Sequence, residues 1–139
     1  SIELLRIQSL FWTIFGLTLS YFFLKRCFGS AASILGILLF ASQSELLFNQ
    51  SLEARHYTMF FALGALVLLH QQNFLSSNKK TKFDVFGFAS HFLICLVHYF
   101  GIIFSGLTVL SLLFFHSKKS LKERIPFSIF FSWVLVLVL

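Results

Sequence analysis

Residues 85–115 read VFGFASHFLICLVHYFGIIFSGLTVLSLLFF and contain no Asp, Glu, Lys or Arg. A helix crosses the bilayer core, about 30 Å thick, with about 20 apolar residues, each of which adds about 1.5 Å. The run is too long for one span, because as a single helix it would measure about 46 Å. We therefore expect two helices, with a break near residues 98–101.

Three clusters of basic residues decide where that break lies. They occupy residues 25–26, 79–82 and 118–124, and short loops that carry Lys and Arg stay on the cytoplasmic side. A single span over residues 85–115 would put the second and third clusters on opposite faces of the membrane. A break returns them to the same face, and only Arg6 and Arg55 of the eleven basic residues are then outside.

The composition extends this interpretation to the whole chain. Of the 139 residues, 58% are hydrophobic, 21 are Phe and 12% are charged, whereas an ordinary soluble domain has roughly 25% charged residues. Such a chain has too little polar surface to cover a water-soluble core, and its basic residues form no face that would indicate nucleic-acid binding. The predicted fold is all-α: one transmembrane domain, residues 1–139, built as a polytopic helix bundle with about six segments, at about 7–24, 30–48, 56–70, 84–97, 100–116 and 126–139.

The chain ends and the cysteines add two expectations. The sequence starts without Met, and its last apolar run continues to Leu139, so we expect an internal fragment of a longer membrane protein. Cys27 and Cys95 lie next to or within apolar runs, without a CxxC pair or a His at ligand spacing. This pattern favours two buried thiols and indicates no metal site.

Other polar and small residues have structural interpretations. His91 lies mid-span, where a lone imidazole usually hydrogen-bonds a neighbouring helix. His70 lies at the cytoplasmic end of a helix, where a partial positive charge suits the helix dipole, and residues 71–82 are predicted to be a cytoplasmic loop. Small residues let helices approach closely in lipid, so we expect packing seams at Gly16, Gly36, Gly64, Gly87 and Gly106.

Polar and charged residues gather at the predicted outer face. They are Glu45, Asn49, Gln50, Ser51, Glu53, Arg55, His56 and Tyr57 around one loop, and His98 with Tyr99 at the next. Arg55 is the most informative of them. Basic residues of short loops normally lie on the cytoplasmic side, so an Arg on the outer face is unexpected. Its guanidinium fork suits a phosphate or a carboxylate.

The sequence leaves structural alternatives open for the same residues. Glu53 and Arg55 could pair at a helix entrance or meet the phosphates of lipid headgroups. Tyr57 and Tyr99 could be aromatic residues of the membrane interface, and His98 could be a satisfied polar residue at a helix break.

Three short motifs, taken in order, resemble those of the polytopic GT-C glycosyltransferases, the group that includes protein O-mannosyltransferases and bacterial aminoarabinose transferases. Residues 49–57, NQSLEARHY, resemble the E-x-R-x-Y element of that family. Residues 3–10, ELLRIQSL, resemble the entrance of the helix after its first outer loop, with Gln8 where Pro is usual. Residues 98–101, HYFG, resemble its H-Y-F-G helix break.

The resemblance implies an enzyme that moves a sugar from a polyprenyl-phosphate carrier to a lipid, glycan or protein acceptor on the non-cytoplasmic face. Arg55 would hold the carrier phosphate, Glu53 would orient it, and Tyr57, His98 and Tyr99 would line the cavity. The family's catalytic acidic residue precedes the helix with which this chain starts, so no catalytic residue is expected here. A divalent cation is left open as a cofactor. The expected location is among the lipids of the bacterial inner membrane, as a multi-pass protein.

Two other classes compete with the enzyme. The first is a transporter or flippase segment with a polar outer vestibule, and the second is a bundle that only packs with partner proteins. A transporter should place ionisable residues near the membrane midplane on discontinuous helices. Here the charges gather at the outer mouth and only His91 is deep, which favours the enzyme.

Overall fold

A computed structural model describes residues 2–42, 56–76, 84–115 and 127–138. Every regular element in these ranges is an α-helix and none is a strand, so the all-α class is confirmed for this part of the chain. The helices are α1 (Ile2–Phe28), α2 (Ser30–Ser42), α3 (Tyr57–Ser76), α4 (Val85–Val97), α5 (Phe100–Phe115) and α6 (Phe127–Val138).

Two of the described helices are long and apolar enough to cross a membrane. They cover Glu3–Phe28 and Tyr57–Ser76. The other four are apolar but shorter than the about 20 residues that a full span requires. The two long helices support a membrane location, and the six-segment topology stays a prediction.

The two long helices continue beyond their predicted segments. Helix α1 begins at Ile2, so that Glu3 and Arg6 lie within it, and α3 continues to Ser76. The prediction of a loop from Gln71 onwards is therefore wrong for residues 71–76. Hydropathy marks only the apolar part of a helix, whereas residues such as Gln and Leu continue its backbone hydrogen bonds at little cost.

The chain divides into two compact units, of which the first is Ser1–Leu69. In this unit α1 packs against α2. The two helices are joined by Gly29, whose φ of 84° lies in the left-handed region that favours glycine. Its backbone N–H donates to the Lys25 carbonyl over 3.0 Å, which closes the last turn of α1.

The first part of α3 also belongs to this unit and approaches α1 at Gly16. A Cβ atom added to Gly16 would lie 2.6 Å from the Phe61 ring and 3.1 Å from the Ala62 Cα. Phe61 also stacks on Phe40 of α2, with ring centroids 5.1 Å apart. The predicted packing seam at Gly16 is confirmed, and α1, α2 and α3 meet around Phe61.

The second unit is His70–Leu139, in which α4 packs against both α5 and α6. Its fully buried side chains include apolar residues and serines, namely Ile94, Leu112, Ile129, Ser90, Ser105 and Ser132. The Ser90 hydroxyl donates to the Gly87 carbonyl over 3.2 Å, and Ser132 donates to the Ile129 carbonyl over 2.6 Å. Small side chains at these positions let the helix backbones approach closely.

Gly106 and Cys27 differ from their predictions. A Cβ atom added to Gly106 would meet no heavy atom within 4 Å, so the expectation of a packing seam there is wrong. Cys95 is buried as predicted, but Cys27 is exposed. Cys27 lies in the last turn of α1, where the helix ends beside Gly29.

Helices α4 and α5 are separated by a tight junction. Helix α4 ends at Val97, His98 is extended with φ −155° and ψ 142°, and α5 begins at Phe100. A Cβ atom added to Gly101 would lie only 1.9 Å from the Ile94 carbonyl oxygen. The junction, which lies where the length and charge arguments put a break, therefore requires glycine at this position.

Candidate functional site

The structure locates three of the five predicted site residues. Glu53 and Arg55 lie outside the described residues. Tyr57 is the first residue of α3 in the first unit, whereas His98 and Tyr99 join α4 to α5 in the second. The structure thus brings His98 and Tyr99 together, with ring centroids 4.3 Å apart, and describes Tyr57 within the other unit.

The first unit contains a cavity between α1 and the beginning of α3. Its volume is about 180 Å³, and one side is open. The α1 residues that line it recur every three or four positions, which places them on one face of the helix. The lining residues are Leu5, Gln8, Ser9 and Trp12 of α1, with His56, Thr58 and Met59.

This cavity, named here the unit 1 cavity, joins two of the sequence motifs. Gln8 and Ser9 come from the stretch 3–10, and His56 comes from the stretch 49–57, directly after Arg55. The sequence pattern related the two stretches only by their order along the chain. In the structure their residues share one concave surface.

The described residues that line the unit 1 cavity present mostly apolar surface together with several hydrogen-bonding groups. It offers the Gln8 amide and the hydroxyls of Ser9 and Thr58, whose residues are 4% and 8% exposed. The His56 imidazole and the Trp12 indole complete the polar and aromatic surface, and among the residues that the structure describes no lining side chain is a carboxylate, an ammonium or a guanidinium. Trp12 was missed by the motif analysis, although its four-residue spacing from Gln8 would have predicted that both lie on one face.

His98 holds the start of α5 through its ring. The Phe100 backbone N–H donates to His98 Nδ1 over 3.1 Å, and the Gly101 N–H donates to the His98 carbonyl over 2.7 Å. Because Nδ1 is an acceptor, the neutral ring carries its hydrogen on Nε2. His98 thus caps the start of α5 through Nδ1.

We expect His98→Asn to preserve this helix start and His98→Ala to weaken it. Asn accepts a capping hydrogen bond and Ala does not, so the alanine variant should lose about 1 kcal/mol of stability while the asparagine variant stays near wild type. Heat-induced exposure of the buried Cys95 thiol, measured with a thiol-reactive dye in a Cys27→Ser background, would report both values. Equal stability of the alanine variant and the wild type would contradict the capping role.

A polar cluster in the second unit, made of two buried imidazoles and a partly exposed carboxylate, was not predicted. Asp84 caps α4, since its Oδ1 accepts hydrogen bonds from the backbone N–H of Phe86 at 3.1 Å and of Gly87 at 3.2 Å. Its Oδ2 contacts Nε2 of His70, which is only 3% exposed. Helix α3 continues beyond His70 to Ser76, so the interpretation of His70 as a helix-end residue is wrong. The clue in the sequence was a lone acidic residue directly before an apolar helix.

The cluster continues through His91. Its Nδ1 lies 2.6 Å from the Ser105 hydroxyl of α5, which confirms the predicted hydrogen bond to a neighbouring helix. The Trp133 indole N–H donates to the same hydroxyl over 2.8 Å. The His70 and His91 rings meet edge to face, with centroids 5.9 Å apart. Two imidazoles and a carboxylate thus lie together among apolar helices.

Within the ranges that the structure describes, no group of three His, Cys, Asp or Glu side chains is placed to hold a metal ion. Comparisons of the chain with family models, with curated proteins and with solved structures give no match. The resemblance to the GT-C glycosyltransferases therefore rests on the three sequence motifs alone.

Proposed function

We propose that this chain is part of an integral membrane glycosyltransferase of the GT-C type. It moves a sugar from a polyprenyl-phosphate carrier to a lipid, glycan or protein acceptor on the non-cytoplasmic face. The observation that supports this proposal is the unit 1 cavity, where Gln8 and Ser9 from one motif face His56 from another. Substrate sites in proteins are concave surfaces with a few convergent polar groups.

The proposed enzyme is a multi-pass protein of the bacterial inner membrane with about six segments in this region. Two described helices of spanning length and four shorter apolar helices support it. Lys25 and Arg26 lie in the last turn of α1, which is its cytoplasmic end in the proposed topology. The unit 1 cavity, near the other end of α1, would then open toward the non-cytoplasmic side.

The proposed chemistry assigns the phosphate to Arg55. The leaving group is a phosphate whose negative charge grows in the transition state, and a positioned guanidinium stabilises such charge. Glu53 would orient the guanidinium, and Tyr57, His98 and Tyr99 would line the substrate path. The carboxylate that acts as general base on the acceptor hydroxyl is expected from the loop before α1.

A transporter remains a second candidate, and the polar cluster of the second unit favours it. Ionisable residues buried among membrane helices are costly and often mark the pathway of an ion or a proton. His70 and His91 are buried and lie edge to face, and the partly exposed Asp84 contacts His70 at the start of α4.

One experiment separates the two candidates. The complete protein is reconstituted in vesicles that contain a pH-sensitive dye and polyprenyl phosphates with a labelled sugar. The enzyme predicts that the label leaves the carrier for an acceptor in a membrane extract. The transporter hypothesis predicts that protons or the intact sugar-bearing carrier cross the vesicle membrane. It also predicts that His70→Gln abolishes this movement. Absence of label transfer would reject the glycosyltransferase, and absence of movement would reject the transporter.

A further inference from the structure

The Ser105 hydroxyl of α5 is bonded differently from two other buried serines of the second unit. Ser90 and Ser132 donate to carbonyls three residues earlier in their own helices, over 3.2 and 2.6 Å. Ser105 lies instead between two side chains of neighbouring helices, with His91 Nδ1 of α4 at 2.6 Å and Trp133 Nε1 of α6 at 2.8 Å. All three serines are fully buried, so protein groups set the directions of these hydrogen bonds.

The directions of the two bonds at Ser105 determine the protonation of His91. An indole N–H can only donate, so Ser105 Oγ accepts from Trp133. The hydroxyl keeps one hydrogen to donate, and the His91 Nδ1 is within reach of it. The Cys95 thiol also faces this hydroxyl, but sulfur is a weak acceptor. Because His91 accepts at Nδ1, its ring is neutral and carries its hydrogen on Nε2.

His70 has different surroundings from His91. Its Nε2 contacts one carboxylate oxygen of Asp84, whose other oxygen caps α4. An ionised carboxylate can only accept, so the His70 Nε2 carries a hydrogen and donates it. The His70 Nδ1 is buried and has no hydrogen-bond partner within the ranges that the structure describes. This nitrogen can therefore take up a proton, and the resulting positive charge would lie against a carboxylate.

The net charge of the polar cluster indicates how many protons it holds. With both imidazoles neutral, the cluster carries the single negative charge of Asp84, and one proton on His70 makes it neutral overall. A second proton, on His91, would place two cations side by side, because the rings meet edge to face with centroids 5.9 Å apart. A charge among apolar helices is costly unless an opposite charge balances it. The balanced state therefore has one added proton, held by His70 against Asp84.

We propose that His70 and Asp84 form a binding site for a single proton, and that the hydrogen bonds from Trp133 to Ser105 and from Ser105 to His91 keep His91 neutral. The site requires neither sugar transfer nor transport, so it goes beyond both candidate functions. It also gives the two buried imidazoles different roles, since one binds the proton and the other joins α4 to α5.

Few other ionisable groups surround the pair in the described helices. Helices α5 and α6 contain no Asp, Glu, Lys, Arg, His or Cys, and α4 contains only His91 and Cys95 of these types. The lysines at positions 79, 80 and 82 precede Asp84 in the chain and lie outside the described residues. Their influence is tested separately, with a variant in which all three are Gln.

Nitrogen NMR of the histidine rings tests the proposal directly. The complete protein is prepared in vesicles with isotope-labelled histidine, and the signals that disappear in His70→Gln and in His91→Gln assign the two rings. The pH is lowered from about 8 to about 5, the range in which histidines commonly titrate. We expect His70 to gain a second ring hydrogen as the pH falls, whereas His91 keeps one hydrogen, on Nε2, throughout.

Asp84→Asn should weaken the proton site and keep the helix cap, because Asn also caps helices well. Loss of the adjacent negative charge should reduce the affinity of His70 for the proton at least about tenfold, so that uptake moves to lower pH by at least about one unit. The variant with the three lysines replaced by Gln should not reproduce this loss. If it does, or if Asp84→Asn has no effect, the carboxylate is not the partner of the proton.

Ser105→Ala should release His91 from its single form. Without the donor from Ser105, we expect part of the His91 population to carry its hydrogen on Nδ1. Ser132→Ala is the matched control, because Ser132 is equally buried but donates within its own helix, and it should leave the His91 signals unchanged.

Two results in the unchanged protein would overturn the proposal. A His70 ring that keeps one hydrogen throughout would reject the proton site. A His91 ring with its hydrogen on Nδ1, or with a second hydrogen at low pH, would reject its neutral form. None of these signals depends on sugar transfer, so their failure would leave the proposed enzyme standing, and an absence of transfer would leave the proton site standing.

Discussion

Gly101→Ala is expected to open the junction between α4 and α5 and to destabilise the second unit by about 3 kcal/mol or more. The added Cβ would lie 1.9 Å from the Ile94 carbonyl oxygen and 2.5 Å from its carbonyl carbon. Both atoms belong to the backbone, so no side-chain rotation relieves the contact. The midpoint of heat-induced Cys95 exposure in a Cys27→Ser background should fall by about 10 °C or more.

Gly106→Ala is the matched control, because the same change is made in the same helix. Its Cβ would meet nothing within 4 Å, so this variant should be neutral or more stable by roughly 0.5–1 kcal/mol, as alanine is the better helix former. If both alanine variants unfold at the wild-type temperature, the close approach of α5 to the Ile94 carbonyl is wrong.

Arg55→Lys is expected to reduce sugar transfer by at least about 100-fold, because one positioned donor at a developing charge contributes that much to a rate. Lysine keeps the positive charge but lacks the planar fork that binds two phosphate oxygens at once. The measurement is the transfer rate of the complete protein from a labelled polyprenyl-phosphate sugar. Equal amounts of wild type and variant in the membrane fraction would establish that insertion is normal.

Arg26→Lys provides the comparison for this change. Arg26 lies in the last turn of α1, at the opposite end from the unit 1 cavity, and its replacement should leave transfer unchanged. Transfer near the wild-type rate in Arg55→Lys would refute the bidentate phosphate role, and the simple pairing of Arg55 with a lipid headgroup would take its place.

The all-α class followed from hydropathy, since only helices satisfy every backbone group within one lipid-exposed segment of this kind. The positions of the helix ends were predicted less accurately from hydropathy. Residues 71–76 read as a loop because they are polar, but Gln71 donates hydrogen bonds to Ser111 and to the Thr108 carbonyl, the latter over 3.4 Å. A hydropathy average contains no information about such partners, which lie far away along the chain.

The residues of the candidate site were also only partly predictable from the sequence. The motif stretches contain Gln8, Ser9 and His56, but none of the three was predicted to bind substrate, and Gln8 stands where the family usually has Pro. Trp12 lines the unit 1 cavity because α1 packs against the start of α3. Likewise, His70 contacts Asp84 because the end of α3 lies near the start of α4. Contacts between residues distant in sequence are fixed by packing, which a single sequence does not encode in a readable pattern.

The buried hydroxyls of the second unit bear on how such a protein is made. Ser90 and Ser132 donate to carbonyls three residues earlier in their own helices, and so do Thr108 over 2.7 Å and Ser111 over 2.7 Å. A hydroxyl satisfied in this way needs no partner from another helix when the chain enters lipid. In the proposed membrane topology these hydroxyls would enter lipid already satisfied, whereas His91 and Trp133 would gain their partner Ser105 only when the helices assemble laterally.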